Sequence, residues 1–235
     1  MKAMSKFWMA LVVGVAVIAA RSPSWADPVS VPVVPSSDAQ GWIDVNLLSA
    51  TLTSTFTGGI VTSWVFNAAG DAAGFGFVYV YQVKNTFTKK NDPTIDNISF
   101  DLLGPIVTNP NLPYDETTLT TFAFQFGELK IGEVTITGGN TLTKATLASP
   151  VTFYFDEGKP GLEPGQTSML FAFFSPAPPT TIDATINFVD KYGNSQGSTT
   201  ARVLTPSPEA SVGVMFGLGL LGLPFFRKLR RRFTK

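Results

Sequence analysis

The chain has 235 residues, with 17 basic and 17 acidic side chains, and it contains neither histidine nor cysteine. Without these residues it lacks the groups for Ser-His-Asp and Cys-His catalysis, for disulfides, and for zinc or copper sites with His or Cys ligands. We therefore expect a protein that is not an enzyme, has no cofactor, and is stabilised by its apolar core alone.

Residues 1–26 have the pattern of a secretory signal peptide. Lys2 and Lys6 form a positive n-region, residues 7–20 are apolar, and small residues suited to a signal peptidase end at Ala26. We predict a signal helix that is removed by cleavage between Ala26 and Asp27. An uncleaved N-terminal anchor is the alternative.

The formal charge of zero hides an acidic body. Between Asp27 and Thr205 the chain carries 8 basic and 16 acidic residues, a net charge of about −8. The missing positive charge lies in the two terminal segments. Because an acidic surface repels phosphate backbones, nucleic acid is not an expected partner.

Residues 27–40 hold three prolines among valines and small polar residues. Proline fixes its own φ and disfavours helix in the residue before it. We predict an extended leader over 27–40 that links the signal peptide to the body or lies along a sheet edge.

Residues 41–205 predict an all-β fold. β-Branched and aromatic residues recur with a period of two and are interrupted about every eight to twelve positions by Gly, Pro, Asn or Asp. This pattern is typical of an antiparallel β-sandwich, immunoglobulin-like or jelly-roll-like. The predicted strands are 43–56, 60–66, 75–83, 97–103, 120–126, 130–137, 141–147, 151–155, 167–174, 182–189 and 198–204.

Two sets of aromatic residues are each predicted to lie on one face of a strand. The first runs from Phe75 through Tyr79 to Val83 at every second position, and the second is Phe122, Phe124 and Phe126. Residues 138–140 and 190–194 contain Gly and Asn, which tolerate positive φ. We predict that both segments are tight turns.

Acidic residues cluster in three places: Asp92, Asp96 and Asp101, then residues 115–116, then residues 156–157. Converging carboxylates can bind calcium, but none of these spacings matches a known calcium loop. Solvated loop charge is the preferred interpretation, with calcium as the alternative. An envelope hydrolase that uses one acidic pair is a third class of function.

Four aromatic residues are candidates for stacking on sugar rings: Trp42, Trp64, Tyr114 and Tyr192. For the two tryptophans, packing in a phenylalanine-rich core is the preferred interpretation, because aromatic side chains contribute most to core burial.

Residues 206–235 differ in composition from the body. A short Pro-Glu segment precedes an uncharged apolar run and a basic block. A bilayer-spanning helix needs about 17 to 25 apolar residues and this run has about 15, so we predict a short transmembrane-like helix with its basic end in the cytoplasm. The run includes Val212, Phe216, Leu218, Leu220, Leu221 and Phe226, and the block includes Arg227, Lys228, Arg230, Arg231 and Arg232.

This order of motif, glycine- and leucine-rich run and arginine cluster resembles the PEP-CTERM sorting signal of proteins exported by Gram-negative bacteria. Pro208 and Glu209 match the first two letters of the Pro-Glu-Pro motif, Ala210 replaces the second proline, and Ser211 matches the serine that often follows. In that family the signal is read by exosortase, a membrane transpeptidase-like enzyme. An ordinary C-terminal membrane anchor is the alternative interpretation.

Residues 77–85 and 162–168 also look like segments of β-sandwich proteins that carry such tails. Members of that family are typically linked to biofilm or exopolysaccharide production. The resemblance implies an exported structural or adhesive protein of the cell envelope or extracellular matrix, held transiently or permanently at the inner membrane. The implied partners are an exosortase-type enzyme, the membrane and an exopolysaccharide. The alternative function is a carbohydrate-binding β-sandwich module delivered by the same route.

Overall fold

The computed structural model describes residues 27–114, 117–148, 150–155 and 161–208. Within these ranges the chain forms fifteen strands, one α-helix and one 3₁₀ helix. The elements are β1 (Val29–Ser30), α1 (Ser36–Gly41), β2 (Ile43–Phe56), β3 (Gly59–Ala68), the 3₁₀ helix (Gly70–Phe75), β4 (Phe77–Asn85), β5 (Thr94–Phe100), β6 (Leu112–Tyr114), β7 (Thr117–Leu119), β8 (Ala123–Phe126), β9 (Glu128–Ile131), β10 (Val134–Thr137), β11 (Lys144–Thr146), β12 (Val151–Tyr154), β13 (Leu170–Ser175), β14 (Pro179–Val189) and β15 (Ser195–Pro206).

Two antiparallel sheets form the body. The larger sheet has the strand order β1-β11-β12-β5-β14-β15, and the smaller has the order β2-β3-β4-β13-β8. Two hairpins, β6-β7 and β9-β10, lie outside these sheets. The expectation of an all-β, sandwich-like protein is confirmed at this level.

The predicted signal helix and the predicted C-terminal helix lie outside the described residues. Within the described ranges, the helices are too short and too polar to cross a bilayer.

The main core fills the space between the two sheets. Tyr81 and Phe171 of the smaller sheet meet Phe100 and Phe153 of the larger one, with ring centroids 5.3 Å apart for Tyr81 and Phe100 and 4.8 Å apart for Phe153 and Phe171. All four side chains are almost completely buried. Aromatic packing at these distances stabilises the sandwich beyond the apolar area it buries.

A second core covers the outer face of the smaller sheet. There α1, the 3₁₀ helix and the β9-β10 hairpin pack on Val78, Phe124, Phe126 and Phe174. The strands β4 and β13 are therefore buried on both faces, and successive residues of each strand point into alternate cores. The chain buries more of its smaller sheet than a two-layer sandwich requires.

The predicted extended leader is only partly correct. Val29 and Ser30 pair with β11, and the backbone around Val34 bonds to Gln125 of β8, so residues 29–34 lie along the edges of both sheets. Residues 36–40 are helical instead, as part of α1. The prolines all precede this helix, so they do not interrupt it, and its Ala39 is buried against the second core.

Residues 130–137 were predicted to be one strand, and this is wrong. They belong to two strands, β9 and β10, that reverse at Gly132, where φ is +59°. Glycine adopts this backbone conformation without the steric cost that a side chain would add. Strand-like alternation of side chains continues on both sides of the turn. The periodicity of the sequence therefore does not reveal the reversal.

The predicted faces also need correction. Phe75 belongs to the 3₁₀ helix and packs in the second core, whereas Tyr79 and Val83 point into the main core. Phe122 precedes β8 and packs in the main core, opposite to Phe124 and Phe126.

Of the two predicted turns, the one at 190–194 has a glycine with positive φ, Gly193 at +83°. Gly138 and Gly139 do not have positive φ. They are needed for close approach instead, because a Cβ on Gly139 would overlap the carbonyl oxygen of Thr167.

Two buried tyrosines of β4 donate hydrogen bonds to backbone carbonyls outside the smaller sheet. The hydroxyl of Tyr81 in the smaller sheet donates to the carbonyl of Leu204 in the larger sheet at 2.6 Å, and the N–H of Leu204 donates to Ser63 Oγ at 3.1 Å. The hydroxyl of Tyr79 donates to the carbonyl of Ala177 at 2.8 Å. Burial raises the pKa of Tyr79 and of Tyr81 well above the usual value for tyrosine.

Candidate functional site

The predicted sorting motif begins at the last residue that the structure describes, Pro208. The last strand stays paired up to Pro206, and the N–H of Ser207 donates to the carbonyl of Pro178 at 2.8 Å. Pro208 follows and is exposed. The other motif residues, Glu209 and Ser211, lie outside the described residues, as do the apolar run and the basic block.

The described acidic residues do not converge. Asp92 accepts a hydrogen bond from the N–H of Lys89 at 3.0 Å, and Asp96 accepts one from Asn97 Nδ2 at 2.6 Å. In the part of the chain that the structure describes, no three His, Cys, Asp or Glu side chains are placed to hold a metal ion. The acidic pairs at 115–116 and 156–157 fall outside that part.

The tryptophans do not form a sugar-binding face. Trp42 is buried, with its ring edge-on to Phe124 at 5.4 Å and to Phe174 at 6.3 Å. Trp64 is half-buried and packs against the same second core. The candidate Tyr114 is also half-buried there, whereas the candidate Tyr192 is 77% exposed.

A polar cleft of about 430 Å³ lies at one end of the sandwich. Three loops line it: the β4-β5 connection, the segment before β13, and the turn between β14 and β15. Six of its lining residues are Lys90, Asn91, Asp92, Thr94, Glu163 and Lys191. Asp92 belongs to the cluster that the sequence predicts to be solvated loop charge, and no local pattern connects these three loops.

Asn85 holds two of these loops together. It is fully buried at the end of β4, and its Nδ2 donates to the carbonyls of Leu162 at 2.8 Å and Pro93 at 3.1 Å. Its Oδ1 accepts the N–H of Phe87 at 3.0 Å. The two segments that resembled tailed sandwich proteins, residues 77–85 and 162–168, therefore meet at this side chain.

The third loop is held by Asp190. Its carboxylate accepts hydrogen bonds from the backbone N–H groups of Tyr192 at 2.8 Å and Asn194 at 3.0 Å, and from Asn194 Nδ2 at 3.0 Å. The bonds from Asn194, followed by the bond from Tyr192 and the charge of Lys191, lower the pKa of Asp190. Thr94 Oγ1 also donates to the carbonyl of Val189 at 3.0 Å, which joins this turn to β5.

The charges that line the cleft cancel. Lys90, Lys191, Asp92 and Glu163 all line it. Neither lysine forms an ion pair with any described residue. Lys191 Nζ instead lies 5.0 Å from the centre of the Tyr192 ring, which places this exposed ring beside the cleft. Hydrogen-bond donors and acceptors thus line the same cleft, and the four charged side chains sum to no net charge.

The cleft and the chain exit lie at opposite ends of the sandwich. The cleft adjoins the β14-β15 turn, and the exit adjoins the pair formed by Pro179 and Pro206 at the other end of these strands. The strand β15 has 12 residues, which at about 3.3 Å per residue separates the two ends by about 35 Å.

Searches of protein-family models, of curated proteins and of solved structures each found no match to this chain.

Proposed function

We propose that this chain is an exported, non-enzymatic β-sandwich protein that its C-terminal tail sorts to the cell envelope or extracellular matrix, as a structural or adhesive component. The observation that carries the proposal is the exposure of Pro208, directly after the end of β15. Ser207 is hydrogen-bonded to the body, and the exposed Pro208 opens the motif. An exosortase-type enzyme could therefore reach the motif without unfolding the sandwich.

The proposed signal peptidase site lies just before the first strand of the body. Asp27 is exposed, and β1 begins at Val29, just after the proposed signal peptidase site. Both sheets are built from residues 29–206. The proposed processing segments thus flank the folded body at both termini.

Charge supports the direction of insertion. The body carries about −8, whereas the tail ends in a basic block that is costly to move across a bilayer. The block stays in the cytoplasm and the acidic body lies outside the inner membrane. The apolar run is short for a lasting span, which favours a processed tail over an ordinary anchor.

The finer fold type belongs to the same proposal. The strands β4, β5, β8, β12, β13 and β14 alternate between the smaller and the larger sheet. Repeated crossing between two sheets is a feature of jelly-roll connectivity. Of the two sandwich types expected from the sequence, we favour the jelly-roll-like one.

The experiment compares the location of four proteins, with and without the exosortase of the cell: the native chain, a chain lacking residues 209–235, which keeps all of β15 and Ser207, Glu209→Ala and Ala210→Pro. We expect the native chain at the surface or in the matrix only when the enzyme is present. We also expect Glu209→Ala to stay at the inner membrane and Ala210→Pro to be released more efficiently.

Glu128→Ala, in the β9-β10 hairpin, is the matched control for loss of a glutamate and should be sorted normally. If Glu209→Ala and Ala210→Pro are located like the native chain, and the enzyme has no effect, the tail is only an anchor and the proposal is wrong.

The alternative function, carbohydrate binding, is favoured by a different observation. Trp42 is in the core, so the tryptophan surface first considered for it does not exist. The polar cleft beside the exposed Tyr192 replaces that surface.

A further inference from the structure

We propose that the cleft formed by residues 88–94, Glu163 and Lys191, together with Tyr192 beside it, binds a segment of a neutral polysaccharide. The biological setting of this site rests on the proposed function, because an exported protein meets such polymers outside the cell. Its binding chemistry rests only on the residues of the cleft.

The groups that line the cleft match the hydrogen-bonding properties of sugar hydroxyls. Lys90 and Lys191 can only donate hydrogen bonds, Asp92 and Glu163 can only accept them, and Asn91 can do both. Each sugar hydroxyl donates one hydrogen bond and accepts others. A hydroxyl-rich chain can therefore satisfy both the donors and the acceptors that line the cleft.

The charges in and around the cleft favour a neutral ligand. The four ionised groups that line the cleft cancel, so the site does not favour a ligand of either sign. The body around it carries about −8, which repels polyanions over longer distances. A neutral polymer is the sugar class that both observations favour.

An exposed aromatic ring lies beside the cleft. Among the large hydrophobic side chains that the described residues expose, Tyr192 is the single aromatic one, and it is 77% exposed. The body of a tyrosine ring is apolar and its tip is polar. The ring can cover the C–H face of a sugar while its hydroxyl stays in water.

Hydrogen bonds hold the loops that form the cleft in fixed positions. Asn85 fixes the loops at Pro93 and Leu162, and Asp190 fixes the turn that carries Lys191 and Tyr192. A site whose loops are already ordered loses less conformational entropy when a ligand binds. The volume of about 430 Å³ also lies within the range of about 300–1,000 Å³ found for ligand sites.

The position of the cleft fits a protein held by its tail. The cleft is about 35 Å from the chain exit, along the 12 residues of β15. An anchored or attached chain would present this end to its surroundings.

The test uses the full chain in detergent, with binding measured by titration calorimetry and affinity electrophoresis. The probes are three neutral polymers, dextran, laminarin and xylan, and one acidic polymer, polygalacturonate. We expect binding to at least one neutral polymer and weaker binding to polygalacturonate. Tyr192→Ala and Asn91→Ala should each lower the affinity by about tenfold, whereas Tyr192→Phe should keep it.

Lys130→Ala removes an exposed side chain away from the cleft and should bind like the native chain. Tyr192 and Asn91 are exposed, so these variants should melt like the native chain, which circular dichroism checks. The proposal is overturned by no binding to the three neutral polymers, by tighter binding to polygalacturonate, or by equal binding of native chain and cleft variants. Glu209→Ala separates the two proposals, because it should change sorting and leave polysaccharide binding unchanged.

Discussion

The side-chain amide of Asn85 donates a hydrogen bond of 2.8 Å to the carbonyl of Leu162, 77 residues further along the chain. Asn85 is fully buried, and a second bond from the same nitrogen reaches Pro93. A buried polar group with good partners specifies one arrangement of the groups around it, because other arrangements leave it unpaired. The shape of the cleft depends on this side chain.

Asn85→Ala should lower the free energy of unfolding by at least about 2 kcal/mol, because the carbonyl of Pro93 and the N–H of Phe87 lose their side-chain partner and the carbonyl of Leu162 keeps only its bond from the N–H of Ile95. Urea unfolding followed by circular dichroism measures this change. Asn91→Ala removes an exposed asparagine nearby and should change stability by less than about 0.5 kcal/mol. Equal stability of the two variants would contradict the role given to Asn85.

Tyr81→Phe should lower the free energy of unfolding by about 1–2 kcal/mol, since the buried carbonyl of Leu204 loses its donor. Stability should also fall as the pH rises above about 10, the usual pKa of tyrosine. The pKa of buried Tyr79 and Tyr81 is raised, so above that pH the unfolded chain loses protons before the folded one does.

Unfolding at several pH values between about 8 and about 11 should therefore show a smaller decrease for Tyr81→Phe than for the native chain. Tyr192→Phe removes a tyrosine hydroxyl at an exposed site and should have native stability at neutral pH. The explanation fails if Tyr81→Phe and the native chain have the same dependence on pH.

Gly139→Ala should destabilise the fold by about 1–3 kcal/mol, because the new Cβ overlaps the carbonyl oxygen of Thr167 and the backbone must move. Gly74→Ala is the matched control, since a Cβ there meets no atom within 4 Å. Thermal unfolding compares the two. Similar melting temperatures would contradict this prediction, because they would show that the loop before β11 accommodates the new Cβ without loss of stability.

Trp42→Ala should cost about 3–5 kcal/mol, because it leaves a cavity next to Phe124 and Phe174. The half-buried Trp64 should cost less when it is changed to alanine. Denaturant unfolding measures both variants. If Trp42→Ala is stable but has lost polysaccharide binding, this prediction is wrong, and the tryptophans rather than the cleft form the sugar-binding surface.

Strands with strong alternation can be predicted from sequence. The bounds of β2, Ile43–Phe56, agree with the prediction, because alternation and the flanking turn residues are local signals. The second core had a signal as well. In β13 nearly every position is apolar, as is typical of strands buried on both faces. The helix α1 has only six residues, too few to show a period, and it depends on tertiary contacts.

The site was less accessible to sequence analysis. Asp190 and Gly193 form a turn that the local pattern predicts. The cleft instead requires that residues 88–94, Glu163 and Lys191 converge, and this depends on the strand order and on the bonds of Asn85. Contacts between residues so far apart in the chain leave no mark in local composition or periodicity.

The most direct test of the central claim is the mass of the chain recovered from the cell surface or matrix. We predict a protein that begins at Asp27 and lacks the apolar run from Val212 to Phe226, whereas cells without exosortase should hold a form that still contains this run. Intact mass spectrometry distinguishes these forms. A surface protein that keeps Lys235, in cells with and without the enzyme, would contradict the account.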